Sequence, residues 1–151
     1  MQFENIIRNI IEKKCEDYFL GTADLSLAKN PNINQYKLLI DEYPRSISIG
    51  LTLPITAVDL LKSEKHPIYY ETNCKLKVIT LNLCNFLEKE GYKSFILPKS
   101  NIINDQNFIS LHKLAADQAN LGKIEENGLL ITSEVDEGVN WGTVLTDAFL
   151  R

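Results

Sequence analysis

The chain has 151 residues, of which 44% are hydrophobic, and its formal net charge is −4. A chain of this length can bury a core of ordinary size without disulfides or structural metals. Its Lys and Arg residues are scattered among acids, so we expect no direct binding of nucleic acid. No apolar run approaches the roughly 20 residues that a bilayer requires, and the N-terminus lacks the apolar centre of a signal peptide. We therefore expect a cytoplasmic protein that does not enter a membrane.

The N-terminal residues carry apolar side chains at intervals of three and four positions. This spacing predicts an amphipathic helix that runs from Phe3 to Phe19 and ends at Gly21. A polar loop around Pro31 follows. We expect the helical segment and loop of residues 1–42 to form one compact domain with the core of residues 43–151.

The middle of the chain predicts a strand, a long helix and a second strand. Residues 46–51 alternate small polar with apolar side chains, which indicates a strand with one buried face. Residues 73–89 are apolar around most of a helical circumference, so we expect this helix to be buried on more than one side and to end near Gly91. Residues 95–97 predict a short strand.

The C-terminal residues predict a short helix followed by two strands. Ser110 is the expected N-cap of this helix, and Gly122 its left-handed C-cap residue. Apolar, partly β-branched runs over residues 128–132 and 141–146 indicate the strands, with an acidic connector over residues 133–140. The full order of elements favours a layered α/β or α+β fold in a single domain.

The three cysteines, Cys15, Cys74 and Cys84, lie far apart within helical patterns. Their number and spacing fit neither a disulfide framework nor a metal site. At about 100° per residue, Cys74 and Cys84 fall on different faces of one helix. We expect reduced thiols in or near the core.

Five ordered segments between Tyr43 and Leu150 resemble one known family. They read Y-P-x-x-I-S-I-G from Tyr43, P-x-Y-Y from Pro67, I-L-P-x-S from Ile96, H-K-x-x-A-x-x-A-x-L-G-x-I-x-x-N-G-L-L-I-T from His112 and W-G-T-V-L-T-D-x-x-L from Trp141. The set is similar to the cobalamin-dependent iron–sulfur reductases, which include epoxyqueuosine reductase and the reductive dehalogenases.

This resemblance implies a cobalamin-binding domain similar to the nitroreductase fold, with a central sheet flanked by helices. It also implies a shaped pocket in which hydroxyls and backbone amides meet the propionamide arms of a corrin. The candidate cofactor contacts on the matching segments are Tyr70, Ser100, His112, Asn127, Gly128, Thr143, Thr146 and Asp147. No catalytic residue and no metal site is assigned.

Each candidate also has an ordinary structural interpretation. His112 is compatible with a partly exposed histidine on a short helix, and Asp147 with the cap of a turn after a strand. Tyr70 is compatible with an aromatic residue that packs in the core or at its rim. Gly128 is compatible with a glycine that the geometry of a strand requires, and Ser100 with a residue that forms a turn.

The chain departs from the family pattern beside the short helix. Where the family commonly reads G-L-G-W-I-G-K-N, residues 120–127 read N-L-G-K-I-E-E-N, so Glu125 and Glu126 reverse the local charge. The acidic proton donor of epoxyqueuosine reductase corresponds to Gln106, which has no titratable proton, although Asp105 is adjacent. These changes put cofactor binding in question.

The family's clusters lie on cysteine motifs downstream of the T-D-x-x-L segment, so we expect no iron–sulfur cluster within this chain, which stops at Arg151. The expected function is a corrinoid-binding domain or subunit of an iron–sulfur-dependent reductase that receives electrons from a ferredoxin-like or other cluster-bearing partner. The alternative is a non-catalytic, degenerate homologue that binds a ligand or a protein. A flavin-binding relative is a weaker third hypothesis, because fold does not settle function. The fold is also compatible with a homodimer.

Overall fold

The computed structural model describes residues 3–52, 67–98, 102–103, 106–107, 109–124, 130–131 and 139–150. The described helices are α1 (Glu4–Glu12), α2 (Lys37–Glu42), α3 (Pro67–Lys89) and α4 (Ile109–Gln118), with 3-10 turns at Leu25–Leu27 and Pro31–Tyr36. The described strands are β1 (Tyr18–Asp24), β2 (Arg45–Thr52), β3 (Ser94–Ile96), β4 (Ile102–Ile103), β5 (Gln106–Asn107), β6 (Lys123–Ile124), β7 (Leu130–Ile131) and β8 (Val139–Thr146). Three predicted site residues, Ser100, Asn127 and Gly128, lie outside the described residues, as does most of the acidic connector.

A four-stranded antiparallel sheet in the order β1-β2-β8-β3 forms the centre of the fold. Strand β2 pairs along its whole length with β8, from Arg45 opposite Thr146 to Thr52 opposite Val139. Helices cover the sheet, so the prediction of a layered mixed α/β fold is confirmed at this level. The nitroreductase-like detail stays a prediction.

The core divides into layers on the two faces of this sheet. On one face, Ile47, Ile49 and Val144 pack with Ile7 of α1 and Ile79 of α3. On the opposite face, side chains of α4 such as Leu111 and Leu114 pack with Leu145 and with the 3-10 turns. Alternate residues of each strand therefore contact different helices, as the pleat requires.

The prediction that β2 has one buried face is wrong, because both of its faces are covered. Residues 46–51 are all buried, including Ser46 and Ser48 on the α4 side. The hydroxyls of both serines have no hydrogen-bond partner among the described residues. These small side chains, with Gly21 of β1, let α4 approach closely, since a Cβ on Gly21 would lie 2.9 Å from the Cβ of Ala119.

The predicted N-terminal helix is too long, because the chain turns into a strand. Helix α1 ends at Glu12, and Tyr18, Phe19 and Gly21 belong to β1, which is paired with β2 over its full length. The Tyr18 hydroxyl donates to Glu12 at 2.5 Å and accepts from Arg8 at 3.2 Å, which ties the strand back to the helix. The backbone ladder with β2 thus outweighs the helical spacing of the apolar residues.

Helix α3 ends where the sequence predicts, but its burial differs. Gly91 is left-handed with φ 92°, and the amide of Tyr92 bonds to the carbonyl of Leu87, which is a Schellman cap. The expected burial on more than one side is wrong, because only the face that carries residues such as Leu83 is buried, while Val78 and Leu81 are exposed. No helix in the described part of the chain is long and apolar enough to span a bilayer.

The predicted ends of helix α4 also need correction. The helix begins at Ile109, so Ser110 lies in its first turn instead of at the N-cap. The left-handed residue at its C-terminus is Asn120, with φ 62°, and not Gly122. The amide of Leu121 closes the cap on the carbonyl of Ala116, so the helix ends earlier than the glycine suggests. The predicted final strand is confirmed, and it starts earlier, at Val139.

Close packing at Gly50 can be tested against a neighbouring position on the same face of β2. A Cβ on Gly50 would lie 2.7 Å from Val139 Cγ1 and 2.8 Å from Trp141 Cζ3. We expect Gly50→Ala to lower the free energy of unfolding by about 1–3 kcal/mol, because overpacked side chains must move. Ser48→Ala removes an unpartnered hydroxyl and should be neutral or stabilising. Urea unfolding followed by circular dichroism measures both. A Gly50→Ala protein as stable as the wild type would contradict the tight packing.

Candidate functional site

A buried histidine between α4 and the sheet is the centre of the candidate site. His112 is 5% exposed, which contradicts the ordinary interpretation of a partly exposed histidine. Its Nδ1 lies 2.8 Å from the hydroxyl of Thr143, and its Nε2 lies 2.8 Å from the carbonyl oxygen of Pro98. The structure thus brings two of the predicted site residues, His112 and Thr143, into direct contact.

The partners of His112 fix the tautomer of its ring. A carbonyl oxygen only accepts hydrogen bonds, so Nε2 must carry the proton that is shared with Pro98. In the neutral ring, Nδ1 is then an acceptor, and the Thr143 hydroxyl donates to it. Both ring nitrogens are therefore used within the protein, and the ring links α4, β8 and the segment after β3.

Thr146 and Asp147 lie at the other end of β8, where they hold the start of β3. The Thr146 hydroxyl donates to the carbonyl of Lys93 at 2.6 Å and accepts from the amide of Ala148 at 3.2 Å. The Asp147 carboxylate accepts from the amide of Lys93 at 2.9 Å. Asp147 therefore caps a neighbouring segment, and both side chains contribute to the edge of the sheet.

Tyr70 lies far from this group in the layered fold. It is 64% exposed on α3, which packs on the face of the sheet opposite to His112. A hydrogen bond with the Cys74 thiol raises the pKa of Tyr70. The structure thus does not bring Tyr70 together with His112 and Thr143. Whether any of the candidate residues binds a cofactor stays a prediction.

The sequence reasoning missed a buried asparagine at the start of β8. Asn140 donates to the hydroxyl of Thr72 at 2.7 Å and to the side-chain oxygen of Asn73 at 2.9 Å. The predicted acidic connector of residues 133–140 includes Asn140, since nothing in the spacing marks its side chain as buried. These bonds anchor α3 to the sheet.

The cysteines differ in exposure. Cys84 is buried, Cys15 is partly buried and Cys74 is exposed, which corrects the expectation that all lie in or near the core. The prediction that Cys74 and Cys84 occupy different faces is confirmed. Burial raises the pKa of both the Cys84 and Cys15 thiols. Among the described residues, no group of three or more His, Cys, Asp or Glu side chains is placed to hold a metal ion.

Comparison with known proteins shows that the fold is similar to that of epoxyqueuosine reductases. No family model matches the sequence, and no curated protein matches it. A structure of epoxyqueuosine reductase from Streptococcus thermophilus has a TM-score of 0.58 at 14% identity, covering 100% of this chain and 47% of that chain.

Two further solved structures give the same result. The Bacillus subtilis epoxyqueuosine reductase with its catalytic loop swung out of the active site has a TM-score of 0.55 at 15% identity, covering 97% of this chain and 45% of that chain. An epoxyqueuosine reductase with an epoxyqueuosine-modified tRNA stem loop has a TM-score of 0.56 at 15% identity, over 97% of this chain and 45% of that chain. The likeness at these identities concerns the fold, and the chain spans less than half the length of each of these structures.

The contact between His112 and Thr143 can be tested by removing one hydroxyl. Thr143→Val keeps the shape of the side chain but leaves Nδ1 without its donor, so we expect a loss of about 1–3 kcal/mol in the free energy of unfolding. Thr143→Ser retains the hydroxyl and should lose less. Urea unfolding gives the stabilities, and ¹⁵N chemical shifts of the imidazole report the tautomer. Equal stability of Thr143→Val and the wild type would contradict a role for this bond.

The order in which the cysteines react with a thiol reagent is a second prediction. We expect Cys74 to be alkylated first at neutral pH and Cys84 last, because burial shields Cys84 and raises its thiol pKa. Peptide mass spectrometry measures each rate. Cys74→Ser is the control, since it should abolish the fast phase. If Cys84 reacted as fast as Cys74 in the folded protein, the assigned packing of α3 would be wrong.

Proposed function

We propose that this chain is a reductase-related domain of the epoxyqueuosine reductase type, whose function is to bind a corrinoid. In this proposal the electrons come from a ferredoxin-like or other cluster-bearing partner. The observation that carries the proposal is the similarity of fold, which extends over nearly all of this chain. A bound corrinoid would supply the redox chemistry, and the chain would supply the shape and polarity of the pocket.

The described candidate side chains do not by themselves fit a corrin pocket. His112, Thr143, Thr146 and Asp147 use polar atoms in bonds within the protein, and Tyr70 lies on the far side of the sheet. In the proposal these residues position β8, and the cofactor contacts rest on Ser100, Asn127 and Gly128.

The second candidate function is that of a non-catalytic module that binds a ligand or a protein. The internal hydrogen bonds of His112 and Thr143 favour it, because a side chain already paired in the core has less to offer a cofactor. The acidic pair Glu125 and Glu126 also favours it, since it replaces a glycine and a cation of the family pattern.

An anaerobic titration with cob(II)alamin distinguishes the two candidates. We expect the wild type to bind one equivalent, with a change in the absorption spectrum and in the electron paramagnetic resonance of the cobalt. The double variant Glu125→Gly/Glu126→Lys restores the family-like loop and should bind more tightly, because it removes two negative charges and restores backbone access. Leu38→Ala is the control, because Leu38 is 87% exposed and is not a candidate contact, so it should leave the affinity unchanged.

Absence of binding by both the wild type and the double variant would contradict the corrinoid proposal and support the binding module. Binding by the double variant alone would locate the loss in the Glu125-Glu126 loop and would also mean that the present chain is not a corrinoid protein. Sedimentation equilibrium tests separately whether the chain forms the homodimer with which the fold is compatible, and a monomer at high concentration would contradict it.

A further inference from the structure

An open groove of about 630 Å³ lies at the end of the sheet where β1 finishes and β2 begins. Its volume is in the range of roughly 300–1,000 Å³ that is usual for small-molecule sites. The lining residues that offer polar, charged or large apolar side chains to a ligand are Thr22, Asp24, Leu27, Arg45, Gln118 and Phe149. His112 and Thr143 are not among its described lining residues, so the groove is distinct from the candidate site above.

Arg45 is held rigidly in this groove. Its Nη1 donates to the backbone carbonyl of Asp147 at 2.9 Å, and its Nε lies 3.7 Å from an oxygen of Asp24. Its guanidinium carbon lies 4.0 Å from the centre of the Phe149 ring, and the side chain is only 19% exposed. A guanidinium has five N–H donors, and the polar contacts of Arg45 with the other described residues use Nη1 and Nε. These contacts orient Arg45 in advance, which lowers the entropic cost of ordering its side chain when a ligand binds.

Two large apolar side chains flank this donor and are open to solvent. Leu27 is 69% exposed and Phe149 is 71% exposed. One face of the Phe149 ring is covered by Arg45, so the rest of the ring surface can pack against a flat apolar group. Exposed apolar surface beside convergent polar groups in a concave site is typical of ligand binding.

We propose that this groove binds a small organic monoanion with a flat apolar body, such as an aryl carboxylate. The carboxylate accepts from Nη2 of Arg45 and from the amide of Gln118, and the aryl ring packs on Phe149 and Leu27. Asp24 already balances much of the charge of Arg45, so a second negative charge on the ligand is repelled. The groove therefore selects a monoanion over a dianion such as a phosphate monoester.

The test uses phenylacetate as the probe, with ¹H–¹⁵N correlation spectra of the full chain as the readout. We expect saturable shifts of the backbone amides of Ala23, Asp24 and Gln118. Phenylacetamide keeps the ring but lacks the charge, and phenyl phosphate adds a second charge, so both should bind about tenfold more weakly. Equal affinity for phenylacetamide would overturn the proposed role of Arg45, and equal affinity for phenyl phosphate would overturn the proposed selectivity.

Two variants locate the binding site. Phe149→Ala changes an exposed side chain and should weaken phenylacetate binding about tenfold with little loss of stability. Leu38→Ala is the matched control, because Leu38 is 87% exposed and does not line the groove. The proposal is overturned if the shifts do not saturate, if they centre on α4 near His112, or if Phe149→Ala binds as well as Leu38→Ala. None of these outcomes depends on corrinoid binding.

Discussion

The backbone ladder between β2 and β8 is the interaction on which the rest of the structure depends. Its eight register pairs place β2 and β8 side by side at the centre of the sheet, and each of the two strands also pairs with an edge strand. Because helices cover both faces, every side chain of β8 is buried. A slip of one residue would exchange the two faces and place Val144 under α4 and Thr143 under α3. The ladder thus decides which polar side chains enter which layer of the core.

The polar groups in these layers are mostly paired, and the pairing explains their position. His112 is held between Thr143 and Pro98, and Asn140 between Thr72 and Asn73. A buried polar group without a partner costs about 1–3 kcal/mol, so each pair constrains the packing of a helix on the sheet. Ser46 and Ser48 are exceptions among the described residues, and their small size serves the close approach of α4. His112 and Thr143, which resemble a cofactor site, therefore contribute to the packing of the fold.

The similarity to epoxyqueuosine reductases concerns this architecture, while the chemistry depends on particular atoms. A corrin would need donors that are not already used in the core, and the described candidate residues supply few of them. The groove at Arg45 has the opposite property, because it combines an oriented donor with exposed apolar surface. Its donor and its aromatic wall come from distant parts of the chain, β2 and the segment after β8. The described candidate residues therefore serve the packing of the core, whereas the groove at Arg45 keeps groups that a ligand can contact.

Elements whose signals are local can be predicted from the order of residues alone. The strands β2 and β8 and the end of α3 at Gly91 all follow from periodicity or backbone preference, and the structure confirms their positions, although not the single buried face predicted for β2. The five segments that resemble the cobalamin-dependent reductases also pointed to the fold, because they occur in the same order along this chain as in that family. For the candidate site, His112 and Thr143 were both predicted from the sequence, and the structure brings them into contact. Their positions in the sequence could not reveal that they form a hydrogen bond with each other.

Features that depend on a partner distant in the chain cannot be predicted in this way and become visible in the folded arrangement. Tyr18 and Phe19 continue the helical apolar spacing of the N-terminal residues, but the ladder with β2 makes them part of a strand. The second face of β2 is buried because α4 covers it. Val78 is exposed because the core lies against the other side of α3. Periodicity reports which residues can share a face, whereas burial and pairing depend on which segments of the folded chain come to lie against that face.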